Sequence, residues 1–195
     1  MKTWTRSFIG LGSNLNDPVQ QIQRACEQLD EIPQSKRKKV SGFYISEPLR
    51  NGLTAPKPNQ PNYINAVAEI HTQLNAERLL DELQQIEQQQ GRTRSHKRWQ
   101  SRTLDLDILL FGDQQILSER LQIPHAEMLN RNFVVIPLAE LTNDLILPCG
   151  ESLQTALNKA DFEPLEVVAN FRDQIQLGTE HISTSNPQGR RGHSA

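Results

Sequence analysis

The chain predicts an α+β sandwich: a mainly antiparallel sheet with helices packed on it. Three observations carry this. Short apolar runs that read as strands alternate with longer stretches of helical spacing. Their order is strand, helix, strand, and then strand, helix, strand again. The last strand of the second set, 104–111, carries two aspartates two residues apart inside a buried run.

The elements follow in order. Residues 7–11 read as a first strand, ended by Gly12-Ser13-Asn14. Asn16-Asp17-Pro18 starts a helix, with a cap followed by proline in the first turn, and Val19, Ile22, Cys26 and Leu29 recur at helical spacing. Residues 40–45 form a second strand, after Lys36-Arg37-Lys38-Lys39, a solvated charge run. Residues 50–62 hold three prolines and a glycine and form a loop. Ile64, Ala66, Ala68 and Ile70 alternate along a third strand, 63–71. A helix over 75–90 places Leu79, Leu80, Leu83 and Ile86 on one face, and Gly91 ends it. Helical patterns over 127–141, which contains Pro137, and 151–160 complete the chain. Strand-helix-strand, taken twice, is the split βαβ arrangement of ferredoxin-like folds, enlarged here by C-terminal elements. Residues 1–170 are read as one domain. Residues 171–195, rich in Gly, Ser, Asn, Gln and Arg, are read as a disordered or loosely packed tail.

With 195 residues and a net charge of −2, composition gives no reason to expect nucleic acid or membrane as a partner. Cys26 and Cys149 form no Cys-x-x-Cys pair, so two reduced thiols in a cytoplasmic protein are expected. No leader or membrane span is visible.

The chemistry concentrates at 92–107. Strand alternation puts Asp105 and Asp107 on one face, ~6.6 Å apart along the strand, with Leu104, Leu106 and Ile108 on the other. Two such carboxylates repel each other, and a hard divalent cation such as Mg²⁺ removes the penalty. Directly upstream, Arg92, Arg94, Lys97, Arg98 and Arg102 are interrupted by no acid. Arginine forks grip phosphate oxygens in pairs. Anionic metal ligands beside such a segment fit a polyphosphate carrying Mg²⁺.

Other features have competing readings. Gly10-Leu11-Gly12 invites a dinucleotide fingerprint, but Leu15 stands where its third glycine belongs, so a tight strand-to-helix turn is preferred. Glu87 lies inside the apolar arc of its helix and needs a partner or a cleft; an ion pair with a nearby arginine and a site role both fit. His125 suits a packed residue as well as a catalyst. Tyr63 and Phe133 suit the core as well as a sandwich around a flat ring. A two-metal nucleotidyl transferase would share the paired aspartates. A non-enzymatic RNA-binding module would need exposed aromatics where the 104–111 strand offers carboxylates.

Taken together, Gly10-Leu11-Gly12-Ser13-Asn14, Phe43-Tyr44, Asn62-Tyr63-Ile64-Asn65-Ala66, Ile86-Glu87 with Gln89-Gln90-Gly91-Arg92, Arg102-Thr103-Leu104-Asp105-Leu106-Asp107 with Trp99, Pro124-His125 and Asn130-Arg131 resemble the 6-hydroxymethyl-7,8-dihydropterin pyrophosphokinase family of folate biosynthesis, over about residues 7–165. The resemblance implies transfer of the β,γ-pyrophosphoryl group of ATP to the pterin hydroxymethyl oxygen with release of AMP. It implies two Mg²⁺ ions on Asp105 and Asp107, and phosphate contacts from Arg92 and Arg102, with Arg94 and Trp99 in the same loop. It places Gln84, Glu87, Arg120, His125 and Arg131 near the nucleotide and Leu80, Ile108 and Leu121 against the adenine. The pterin would stack between Tyr63 and Phe133, close to Trp99, with Asn65 and the backbone around Ser46 and Leu49 reading its edge. Two departures are visible: Ala126 where an aromatic often follows Pro-His, and Glu47 where proline is common. A monomer is expected, because no heptad or large apolar surface helix is present.

Overall fold

A computed structural model describes residues 3–48, 60–92, 101–142, 145–148, 150–159 and 164–169. Strand β1 (Thr5–Ser13) leads through helix α1 (Pro18–Glu31) to β2 (Ser35–Val40) and β3 (Phe43–Ser46). Then come β4 (Tyr63–Thr72), α2 (Ala76–Gln89) and β5 (Asp105–Phe111). A small ribbon of β6 (Ile116–Leu117) and β7 (Gln122–Ile123) and a 3-10 turn (Met128–Asn130) precede α3 (Asn132–Leu141), α4 (Leu153–Lys159) and β8 (Val167–Ala169). The main sheet runs β5-β1-β4-β3-β8, with β2 also on β4, and all its pairs are antiparallel. Reading β2 and β3 as one interrupted strand gives the ferredoxin-like order.

The helices start where the sequence signals them. Asp17 accepts a hydrogen bond from Gln20 N at α1, and Asn75 accepts one from Arg78 N at α2. One sheet face packs Ile9, Leu11, Ala68, Ile70, Leu106 and Ile108 against Ile22 and Leu29 of α1 and Leu79 and Leu83 of α2. The opposite face packs Phe8, Val67, Leu109 and Leu110 against Val135 and Leu138 of α3. Cys26 lies fully buried, and burial above all pushes its thiol pKa up to about 12, which suits an inert core thiol.

Several boundaries differ from the sequence reading. The first strand continues through Gly12 to Ser13, because β4 and β5 flank it on both sides and supply a ladder that overrides the weak strand preference of glycine. The Gly10-Leu11-Gly12 segment is therefore a strand interior and not a tight turn. The second strand starts at Ser35 and breaks at Ser41-Gly42. Its basic run is tolerated because, among the described residues, β2 pairs on one side only. At the break, Ser41 Oγ accepts from Val67 N at 2.9 Å, and Glu140 of α3 takes Gly42 N at 2.8 Å and the Tyr44 hydroxyl at 2.9 Å. The helix foreseen over 127–141 is interrupted at Arg131, whose backbone is extended. The β6–β7 ribbon and β8 were not foreseen. The proposed tail lies outside the described residues, as does Cys149. No described helix is long and apolar enough to cross a membrane.

Glu69 tests one polar feature of this fold. Burial pushes its carboxyl pKa up, but Arg6, bonded through two nitrogens at 3.0 Å each, and His71 at 3.1 Å outweigh burial and hold it below the ordinary value. A depressed carboxyl pKa adds stability above the unfolded value, and that contribution is lost as pH falls through the folded value. Glu69→Gln is expected to lower stability near neutral pH by roughly 1–3 kcal/mol, with the gap closing in acid. Denaturant titrations at several pH values check this, and a gap that stays constant down to strong acid refutes it.

Candidate active site

Partners across an antiparallel ladder share a face of the sheet. Gly12 pairs with Asn65 on one side and Asp105 on the other, and Asn65 in turn pairs with Tyr44. One row across the sheet therefore reads Tyr44, Asn65, Gly12, Asp105. The next row reads Val67, Gly10, Asp107. Tyr63 and Ser46, paired with each other, lie beyond the first row on the same face. This is the α3 face, but the apolar contacts of α3 stop at Val67 and Leu109. Level with Val67 and beyond it, the face carries polar groups, two glycines and two carboxylates.

The carboxylates are held by arginines. Asp105 Oδ1 lies 2.8 Å from Arg92 Nη1, and Asp105 Oδ2 pairs with Arg102 Nη1. Arg92 Nη1 also pairs with Glu87 Oε1, and the same Glu87 oxygen accepts a 2.8 Å bond from Leu106 N on β5. Glu87 thus closes the open edge of the aspartate strand and steadies Arg92. Gly91, at φ +80°, makes the turn that delivers Arg92 from the end of α2. Asp107 lies 4.0 Å from His125 Nε2. Its pKa is raised by burial and by the Asp105 carboxylate, against the pull of His125, Arg102 and Arg131. His125 Nδ1 accepts from Glu127 N at 3.2 Å, which assigns the proton of the neutral ring to Nε2, facing Asp107.

Asn14 belongs to the site, a role that the motif containing it does not announce. It is 2% exposed. Its Oδ1 accepts from Arg102 N at 2.8 Å, its own N donates to Arg102 O at 3.0 Å, and its Nδ2 donates to Pro61 O at 3.1 Å. One amide therefore ties the end of β1 to the segments before β4 and β5 and sets the backbone from which Arg102 reaches Asp105. The sequence signal was an asparagine after a strand that caps no helix, since Asp17 does the capping.

On the opposite flank, Asn65 Nδ2 donates to Ser46 Oγ at 2.9 Å. Tyr63 is half-buried; burial raises its pKa while the nearby Arg102 lowers it. Arg131 stacks over the Phe133 ring at 6.0 Å, at the start of α3. Leu80, Ile108 and Leu121 are buried in the core under α2, and Ile108 points away from the aspartates. Gln84 is half-buried on α2, and Arg120 is exposed and paired with Asp81 and Glu77. Leu49, Arg94 and Trp99 lie outside the described residues. Among the described residues no group of three His, Cys, Asp or Glu side chains is placed to hold a metal. A cation on Asp105 and Asp107 would complete its shell with oxygens from a ligand or water.

Glu87 gives this site a measurable pH signature. Burial is the largest cause pushing its carboxyl pKa up, to about 7, against the Leu106 N–H and Arg92. A carboxyl pKa raised on folding means the folded state binds the proton more tightly. Stability is then greatest below the unfolded value and falls as pH rises toward 7. Glu87→Gln is expected to flatten the stability profile between about pH 4.5 and 7 by roughly 2–3 kcal/mol. Thermal unfolding across that window checks this, and identical profiles for the two proteins rule it out.

The chain matches the family model for 7,8-dihydro-6-hydroxymethylpterin-pyrophosphokinase over residues 8–143. It is 50% identical over 142 residues to a Haemophilus influenzae 2-amino-4-hydroxy-6-hydroxymethyldihydropteridine pyrophosphokinase, covering 73% of this chain and 84% of that protein. It is 45% identical over 161 residues to a Pseudomonas aeruginosa protein of the same name, covering 83% and 95%. Among solved structures, wild-type Plasmodium falciparum HPPK-DHPS with pteroate superposes with a TM-score of 0.61 at 14% identity, over 80% of this chain. That likeness shows the fold, and the chain spans only 42% of that longer one. Family model and relatives agree with the motifs on the aspartate face: the chain belongs to the 7,8-dihydro-6-hydroxymethylpterin-pyrophosphokinase family.

Proposed function

We propose that this chain transfers the β,γ-pyrophosphoryl group of ATP to the hydroxymethyl oxygen of 6-hydroxymethyl-7,8-dihydropterin, releasing AMP, in folate biosynthesis. One observation supports this most: a chain of this family sets Asp105 and Asp107 side by side with Arg92 and Arg102 around them. The donor set fits Mg²⁺, because both carboxylates are hard oxygen donors on one face and, among the described residues, the one cysteine, Cys26, is buried in the core under the helices. Two Mg²⁺ ions held by Asp105 and Asp107 with the triphosphate would neutralise phosphate charge.

The chain's own residues then have defined tasks. Arg92 and Arg102 exchange Asp105 for phosphate oxygens, with Arg131 and His125 nearby, and Arg94 is assigned to the same nucleotide. Gln84, Glu87 and Arg120 lie toward the nucleotide, and Leu80, Ile108 and Leu121 form its apolar wall. Tyr63 and Phe133 take the pterin ring between them. Asn65, Ser46 and Leu49 read its edge, and Trp99 packs against it. The hydroxymethyl oxygen attacks the β-phosphorus, the bond from that phosphorus to the α,β-bridging oxygen breaks, AMP leaves, and the hydroxyl proton passes to solvent. Positioning and charge neutralisation suffice for such a transfer without a dedicated base.

Incubation with ATP, Mg²⁺ and the dihydropterin is expected to yield AMP only when pterin is present, in step with a pyrophosphorylated pterin. Pyrophosphate released in place of AMP would instead identify a nucleotidyl transferase. Asp105→Ala and Asp107→Ala are each expected to lose most Mg²⁺-dependent turnover, by about 10²-fold or more, with far-UV circular dichroism unchanged. Full activity in either removes the metal assignment. Arg92→Ala is expected to lower kcat more than it weakens pterin binding; equal losses would argue against a transition-state role.

A further inference from the structure

We propose that Gly12 determines how closely the pterin and the triphosphate approach each other, and is a specificity-determining position for the transfer. The inference rests on the functional reading above. Gly12 lies inside a central strand, where glycine loses conformational entropy and contributes no packing. Its backbone does not demand glycine: φ is not positive there, unlike at Gly91, Gly112 and Gly150. Its neighbours do not demand glycine either. A Cβ at Gly12 would meet only Asn65 Oδ1, at 3.5 Å, an ordinary contact. Gly10 differs, because a Cβ there would press on the Leu109 side chain at 3.3 Å. Packing thus accounts for Gly10 and leaves Gly12 unexplained.

What surrounds Gly12 supplies the explanation. Adjacent strands lie ~4.8 Å apart, so Gly12 sits midway between Asn65 and Asp105, which stand roughly 10 Å apart. Asn65 is 5% exposed. Its Nδ2 is committed to Ser46 Oγ at 2.9 Å and Tyr44 O at 3.4 Å. Among the described residues its Oδ1 accepts no hydrogen bond, and that oxygen is the atom closest to the missing Cβ. An amide oxygen that no protein group engages is free to take a donor from a ligand. A pteridine ring N–H has the required chemistry. On the other side of Gly12, Asp105 with Arg92 and Arg102 marks the phosphate end. A ring held by Asn65 must extend its hydroxymethyl arm over Gly12 to reach phosphorus. Transfer needs the reacting atoms about 3–3.5 Å apart, and a methyl group rising between the two anchors would hold them apart.

Gly12→Ala and Gly12→Val test this against a role in packing. Four quantities are measured on each: thermal midpoint, pterin affinity without nucleotide by pterin fluorescence, affinity for Mg-ATP, and kcat with KM. Gly12→Ala is expected to fold with a midpoint at or above that of the parent, because alanine restricts the unfolded chain. Mg-ATP affinity should stay within about twofold, while kcat falls about tenfold or more and pterin binding weakens. Gly12→Val should deepen the last two effects in the same order. Parent-like kcat and pterin affinity in Gly12→Ala would overturn the proposal. So would a lowered midpoint with kcat retained, which would make Gly12 a packing residue. A parent protein that neither binds nor modifies the pterin would instead overturn the function on which the proposal rests.

Discussion

Two carboxylates are forced onto one face of a strand, and the surrounding structure is organised around that conflict. At ~6.6 Å and an effective dielectric near 20, Asp105 and Asp107 repel by roughly 2.5 kcal/mol. A charge pair at ~4 Å under the same screening attracts by about 4 kcal/mol. Arg92 and Arg102, both on Asp105, therefore outweigh the repulsion. They are also the two described ends of the basic segment, so both its ends are fastened to one carboxylate. Each arginine is steadied in turn, Arg92 by Glu87 and the Arg102 backbone by Asn14.

The sheet makes room for this cluster by leaving part of one face without helix cover. Val67, Leu109 and Phe8 meet α3, whereas Asn65, Gly12 and Asp105, one row further along, do not belong to that core. The position of α3 is set by its C-terminal end. There Glu140 takes two donors from the β2–β3 break, and Lys39 donates to Leu141 O at 3.1 Å. The kink that interrupts the second strand thus helps fix where helix cover ends.

Much of this was legible in the chain. The two aspartates could be placed on one face because strand periodicity is two and the flanking residues are apolar. Glu87 could be marked as anomalous because an acid inside an apolar arc needs a partner, and the structure supplies Arg92 and Leu106 N. The cap at Asp17 followed from local chemistry. What escaped depends on contacts distant in sequence. Glycines at 10 and 12 read as a turn, because only the flanking strands β4 and β5 reveal a central strand. The break at Ser41-Gly42 needs Val67 and Glu140, and the role of Asn14 needs Arg102 and Pro61. No local pattern carries such pairings.

Charge balance links this arrangement to the proposed reaction. Counted with every group ionised, Glu87, Asp105 and Asp107 carry −3, and Arg92, Arg102 and Arg131 carry +3. In that state the cluster is neutral. A tetra-anionic triphosphate arriving with two divalent cations would bring no net charge, so the site would keep its charge while its pairings change. In the proposed reaction the arginines would leave Asp105 for phosphate oxygens, and the carboxylates would gain cations in their place. In that exchange Asp105, Arg92 and Arg102 would each keep an opposite partner before and after, so none of these three charges would be left alone, which is the costly state. An exchange of partners at constant charge needs no deep rearrangement of the sheet. It asks only that the arginines swing, and both sit on segments anchored at their backbones, Arg92 after Gly91 and Arg102 at Asn14.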